Sequence, residues 1–179
     1  MLLLAISGSL RAASSNSRLL DAAAALAPPG VQVIRYDGLG TLPPFNPDIE
    51  ADGLPAPVVQ LRALVARADA IVISSPEYAH GVPGILKNAL DWLVSGVELP
   101  HKPVALFNAS PTATYAHAAL VEILTTMSGR VIAGAMVTLP VGAKALHVAS
   151  MLAHAQIAAA LRAGLAALVA GAQAAARQS

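Results

Sequence analysis

The 179-residue chain has no cysteine, few aromatic residues and little charge, and each scarcity narrows what it can be. Without cysteine there is no disulfide framework, no thiolate nucleophile and no thiolate-based zinc site. A reducing, cytoplasmic setting agrees with that. Charged residues make up 12% of the chain, 11 basic against 10 acidic, for a formal net charge of +1. With no Lys/Arg cluster, this balance gives no electrostatic basis for binding nucleic acid or an anionic membrane surface. Small-molecule chemistry is expected instead. The five histidines show no metal-ligand spacing, and His147 and His154, about two helical turns apart, read as surface residues. Apolar residues reach 56%, yet every long apolar stretch is broken by Gly, Pro, Asp, Arg or His before the roughly 20 residues that a spanning helix needs. The opening Met1-Leu2-Leu3-Leu4-Ala5-Ile6 has no basic n-region and runs into Ser7-Gly8-Ser9-Leu10-Arg11, so it reads as a buried first strand and not as a secretion signal.

What is present has the rhythm of repeated βα units. Five short apolar runs, at 2–6, 31–36, 70–74, 103–107 and 131–138, are hydrophobic enough for strands covered on both faces. Segments of helical period fill the intervals, at 17–26, 57–67, 83–94 and 115–127, and a last helix runs from Leu146 to about residue 170. Pro28-Pro29-Gly30 breaks the first helix from the second strand, and Leu42-Pro43-Pro44-Phe45-Asn46-Pro47 is too Pro-rich to be regular. Neither has the character of an interdomain linker. The expectation is one domain over 1–179, a three-layer α/β sandwich around five parallel strands. Sheets of this kind bind ligands beyond the strand C-termini at the switch point, where the loops after the first, third and fourth strands meet.

The loop after the first strand, Ser7-Gly8-Ser9-Leu10-Arg11-Ala12-Ala13-Ser14-Ser15-Asn16-Ser17, is dense in hydroxyls with a single guanidinium. A phosphate fits it. The helix that follows presents unpaired N–H groups and the positive end of its dipole, Ser9, Ser14, Asn16 and Ser17 add neutral donors, and Arg11 adds a charge-assisted one. Neither G-x-x-x-x-G-K-[ST] nor G-x-G-x-x-G is present, so a monophosphate fits better than a nucleotide polyphosphate or a dinucleotide. The plainer reading is that Asn16 or Ser17 merely caps the helix, the other serines form a solvated turn, and Arg11 is a surface charge.

After the third strand comes Pro76-Glu77-Tyr78-Ala79-His80-Gly81-Val82-Pro83-Gly84-Ile85-Leu86-Lys87-Asn88-Ala89-Leu90-Asp91-Trp92. Its prolines and glycines make a tight loop whose backbone can approach a planar ligand, with Tyr78 and His80 beside it. Pro83 suits a helix start. Within that helix Lys87 and Asp91 form an i, i+4 pair and Trp92 can pack, so structural or subunit-contact roles are expected for them and for Asn88.

These two motifs resemble those of the NADPH-dependent FMN reductase family, flavodoxin-like proteins that include chromate, quinone and azo-dye reductases. Gly8-Ser9-Leu10-Arg11 with Ser14 and Asn16 is similar to the family's phosphate loop, and Pro76-Glu77-Tyr78 through Asp91-Trp92 to its isoalloxazine loop and helix. The resemblance implies that Ser9, Arg11, Ser14, Asn16 and Ser17 hold the FMN phosphate. It implies also that Pro76, Glu77, Tyr78, His80 and Gly81 border the ring. Two departures stand out: Ala79 replaces a frequent Asn, and Asn108-Ala109-Ser110-Pro111-Thr112-Ala113-Thr114 lacks the glycine-rich pattern of many relatives, leaving Asn108 and Ser110 as its candidate contacts.

The expected function is therefore an oxidoreductase in which NADPH or NADH reduces FMN, and the flavin passes electrons to a quinone, a metal oxyanion or another small acceptor. No catalytic side chain is assigned, because hydride transfer to a flavin depends on alignment and a polarised ring. Glu77 is expected to fix its loop, and backbone N–H groups from Glu77 to Gly81 to steady negative charge on the reduced ring. A homodimer or homotetramer is expected from the apolar helices, with 83–94 and the preceding loop as the contact region. The alternative is a non-enzymatic flavodoxin-like electron carrier, whose acidic surface and aromatic flavin sandwich contrast with a net charge of +1 and 3% aromatics here.

Overall fold

The computed structural model describes residues 1–141 and 147–177; Leu146, the expected start of the last helix, lies outside the described residues. In chain order the elements are β1 (Leu2–Ser7), α1 (Ser15–Ala25), β2 (Gln32–Tyr36), α2 (Pro47–Asp52), α3 (Ala56–Arg67), β3 (Ala70–Ser74) and α4 (Gly84–Asp91). They continue with β4 (Pro103–Asn108), α5 (Thr114–Thr126), β5 (Arg130–Val131), β6 (Val137–Thr138), α6 (Val148–Ala153) and α7 (Ala155–Ala176). The sheet runs β2-β1-β3-β4-β5, with β6 also paired to β4, and all of these pairings are parallel. This is the doubly wound, flavodoxin-like order, with its switch point between β1 and β3.

Successive strand residues point to opposite faces, so each central strand feeds two cores. Leu3, Ala5, Val72, Ala105 and Phe107 pack with Leu19 and Leu20 of α1 and Leu161, Leu165 and Leu168 of α7. On the other face Leu4, Ile6, Ile71, Ile73, Val104 and Leu106 meet Leu61, Leu86, Leu90, Leu120 and Leu124 of α3, α4 and α5. The expected three layers are thus present. α7 comes so close that a Cβ at Gly164 would lie 2.5 Å from Val137 Cγ2 and 3.1 Å from Phe107 Cε1.

Three elements differ from the sequence expectation. The fifth strand is split: β5 pairs beside Pro103 and Val104, a 3-10 turn over Ala133–Ala135 intervenes, and β6 pairs beside Phe107 and Asn108. Ala133-Gly134-Ala135 has no β-branched or aromatic side chain to hold a pleated surface. The last helix is interrupted at His154, whose extended backbone ends α6 and starts α7. The Pro-rich segment is irregular only through Asn46, since Pro47 opens α2 and Asn46 caps it, Oδ1 accepting from Asp48 N at 2.9 Å. α7, 22 residues long, is also apolar enough by length and composition to cross a membrane, its single Arg162 notwithstanding; its buried stripe lies on the sheet.

Candidate functional site

Loops 8–14, 75–83 and 109–113 leave the C-terminal ends of β1, β3 and β4. The first two touch at Gly8, whose N–H donates to Ser74 O at 2.8 Å. A Cβ at Gly8 would stand 2.6 Å from Ser75 Oγ and 3.0 Å from Leu86 Cδ2, so any larger residue here would have to push these side chains aside. α1 is capped by Ser14, whose Oγ accepts from Ser17 N at 3.4 Å; Asn16 and Ser17, the residues expected to cap, lie inside the helix. Both are buried and tie α1 to the sheet. The Ser74 hydroxyl donates to Asn16 Oδ1 at 2.9 Å, and the Ser17 and Ser7 hydroxyls are 2.9 Å apart. The N–H groups of Ser15 and Asn16 have no protein acceptor among the described residues, as the first turn of a helix leaves them.

Those two residues line a cavity of about 570 Å³ together with Ser75, Pro76, Glu77, Asn108, Ala109, Ser110, Pro111, Thr112, Ala113 and Pro140. A second, smaller cavity of about 150 Å³ lies on the β2 side of the same loop, lined by Ser7, Ser9, Leu10, Arg11, Ala12, Ser17, Arg35, Tyr36, Asp37 and Leu39. Arg35 is held there by Asp21 at 2.8 Å and Asp37 at 2.9 Å. Arg11 is exposed, and its guanidinium has no partner among the described residues. The phosphate-loop candidates are therefore distributed: Asn16 on the larger cavity, Ser9, Arg11 and Ser17 on the smaller, and Ser14 buried as the cap.

The β3–α4 loop divides in the same way. Pro76 and Glu77 line the larger cavity, whereas Tyr78, Ala79, His80 and Gly81 form a hairpin turn that stands beside it. Tyr78 and Gly81 exchange N–H···O bonds of 3.1 and 3.0 Å, and the two central residues are left-handed, with φ of 49° at Ala79 and 58° at His80. The N–H groups of Tyr78 and Gly81 are thus consumed within the turn, which corrects the expectation that the whole segment offers donors to a ligand. Glu77 lashes this loop to α5: its Oε2 accepts from Ala116 N at 2.8 Å, capping a helix whose own N-cap, Ala113, provides no side-chain bond. In the third loop Asn108 is buried and spends its amide locally, accepting from Ser110 N at 3.0 Å and donating to Ala113 O at 3.1 Å. The Ser110 and Thr112 hydroxyls are 2.9 Å apart.

The rest of the second motif is structural. Asn88 Nδ2 and Trp92 Nε1 both donate to Pro43 O, at 3.0 and 2.8 Å, Phe45 N donates to Asn88 Oδ1 at 2.7 Å, and Phe45 packs edge-on against Trp92. Lys87 and Asp91 make the expected i, i+4 pair. Sequence reasoning missed Ser15, Ser75, Ala109, Pro111, Thr112, Ala113 and Pro140 as cavity residues. It also missed Tyr115, whose ring stacks on His80 at 4.4 Å and 16°. For Ser15 a signal existed, since a cap at Ser14 leaves the next two N–H groups free.

An NAD(P)H-dependent FMN reductase of Pseudomonas aeruginosa is 42% identical over 109 residues, covering 60% of this chain and 58% of that protein. A quinone reductase of Escherichia coli K12 is 37% identical over 99 residues, 55% of this chain and 51% of that one. The chain thus spans about half the length of the curated relatives it matches. Among solved structures, the flavoenzyme NAD(P)H:(acceptor) oxidoreductase FerB of Paracoccus denitrificans superposes with a TM-score of 0.78 at 27% identity, covering 97% of both chains. The family model for NADPH-dependent FMN reductases matches residues 1–144, and on that match, with the sheet order and loop geometry behind it, the chain belongs to the NADPH-dependent FMN reductase family.

Proposed function

We propose that this chain is an NAD(P)H-dependent FMN oxidoreductase that passes electrons to quinones, metal oxyanions or other small acceptors, working as a single cytoplasmic domain within a homodimer or homotetramer. The observation that carries the reading is the cavity floor, where the unpaired N–H groups of Ser15 and Asn16 meet the positive end of α1. The donor set fits a phosphate monoester. The volume is that of a small-molecule site. Bound there, FMN would supply the redox chemistry, accepting electrons from NAD(P)H and releasing them to the acceptor.

The chain's own residues have positional roles. Ser15 and Asn16 would hold the phosphate with backbone N–H groups, and Ser9, Arg11 and Ser17, which line the adjoining cavity of the same loop, would add donors from its other side. Pro76 and Glu77, which line the cavity, would border the ring. Glu77, bonded to Ala116, fixes the distance between the second and third loops, while Asn108 and Ser110 shape the facing wall. Tyr78, His80 and Gly81 form the turn that follows the lining residue Glu77. No aromatic side chain lines the cavity among the described residues, which supports a site open to a reactant over the aromatic sandwich of a carrier. Titrating the protein with FMN and with riboflavin by flavin fluorescence, then following NADPH and NADH oxidation, tests the proposal. FMN should bind more tightly than riboflavin and support turnover; equal affinities or no pyridine-nucleotide oxidation would refute it.

A further inference from the structure

Aromatic residues are scarce in this chain, three Tyr, two Phe and one Trp, and their placement is uneven. Trp92, Phe107 and Tyr36 are buried, and Phe45 is covered by Trp92. Only Tyr78 and Tyr115 are more than half exposed, at 56% and 57%. Both lie close in sequence to residues that line the larger cavity: Tyr78 follows Glu77 in the β3–α4 loop, and Tyr115, in the first turn of α5, lies two positions beyond Ala113. The His80–Tyr115 stack joins that loop to α5, with ring centroids 4.4 Å apart. The Glu77–Ala116 bond ties the same loop to the same helix. Exposed aromatics on a surface need no explanation one at a time, but a stacked pair held rigid beside a ligand cavity presents a flat, preorganised face.

We propose that the His80–Tyr115 stack, with Tyr78 beside it, is a ledge on which a neutral, electron-poor planar acceptor, of which quinones are the simplest class, rests on its way to the cavity. His80 stacks on Tyr115, and Tyr115 is still 57% exposed in the single chain, which is the surface assigned here to the ligand. A phenol face is electron-rich, so it favours an electron-poor ring over a reduced dihydronicotinamide. The ledge therefore sorts acceptors and not reductants. It takes no electron itself: per turnover, NAD(P)H provides two electrons and one proton, solvent provides the second proton, and the quinone leaves as hydroquinone with NAD(P)+ as the other product. This inference rests on the FMN reading for its kinetic consequence, though not for binding.

The test compares the wild type with Tyr115→Leu and Tyr115→Trp, using 1,4-naphthoquinone as the planar acceptor and hexacyanoferrate(III) as a non-planar one. The absence of cysteine removes thiol addition to the quinone as a complication. Tyr115→Leu should raise KM for naphthoquinone by about 2- to 12-fold, the range of one aromatic contact. The kcat, the KM for NADPH and the hexacyanoferrate rate should stay unchanged, and Tyr115→Trp should restore naphthoquinone KM. Equilibrium dialysis of naphthoquinone against the oxidised protein without NADPH should show the same loss and rescue. An unchanged KM and dialysis constant would overturn the ledge, as would an equal effect on both acceptors. A change in oligomer size with Tyr115→Leu would overturn it in favour of a subunit contact. If the wild type bound no FMN, the functional reading would fall, while dialysis would still decide the ledge.

Discussion

Ala79 and His80 occupy the left-handed region in a turn closed by Tyr78 and Gly81. Two left-handed residues in sequence are the mark of a type I′ hairpin turn, which Gly and Asn adopt with least strain. Ala79→Gly should therefore stabilise the folded protein by about 0.5–1 kcal/mol, read as a higher urea midpoint, despite the added freedom of the unfolded chain. Arg11 is a different kind of residue, exposed and without a protein partner among the described residues. Its replacement by Ala should leave the urea midpoint unchanged and weaken FMN by ~1.5–3 kcal/mol while sparing riboflavin. A parallel loss for both flavins would return Arg11 to its surface role. At this scale the sequence was informative where a residue acts through a local pairing, as at Lys87 and Asp91, and less so at the start of α1, where Ser14 caps in place of the expected Asn16 or Ser17. It was silent on pairings such as Trp92 with Pro43 or Tyr115 with His80, which exist only once distant segments are folded together.

Among the elements, α5 takes its cap from a neighbouring loop. It lacks a side-chain cap of its own and takes the Glu77 carboxylate in its place. Glu77→Ala should cost about 1 kcal/mol and raise amide exchange in the first turn of α5 and in the 78–81 turn together; exchange confined to one of them would show that the tie does not couple them. The same helix carries His117, half-buried, whose pKa is lowered from about 6.5 by burial. The unfolded chain then binds this proton more readily than the folded one, so stability is full above about pH 6.5 and falls as pH drops below it toward the depressed folded value. His117→Gln should flatten the decline in urea midpoint between roughly pH 7.5 and 5.5. The strands of the sheet centre were legible because both their faces are buried and their apolar runs unbroken. The fifth run was not, because Ala133-Gly134-Ala135 interrupts the pairing without breaking the hydrophobic pattern, and His154 likewise divides α6 from α7 inside a continuous helical pattern.

For the molecule as a whole, binding at the seam of three loops must be felt by the entire fold. With FMN free at about 100 times its Kd, the stability should rise by about 2.7 kcal/mol, seen as a higher Tm, and riboflavin at the same concentration should raise it less. Val94 and Val97, 61% and 87% exposed, lie just beyond α4 and fit the subunit contact proposed for that region; light scattering at micromolar concentration should give a dimer or tetramer. The sheet order also has a consequence in time. During synthesis the β1–α1 loop emerges long before residues 109–113, which face it across the cavity. Until β4 has been added, the growing chain has a helix end suited to phosphate and no opposite wall. FMN can then reward only the finished sheet, since a ligand stabilises whichever state is able to bind it. On that account the flavin seals a chain that has completed its folding, and does not template the one still being made.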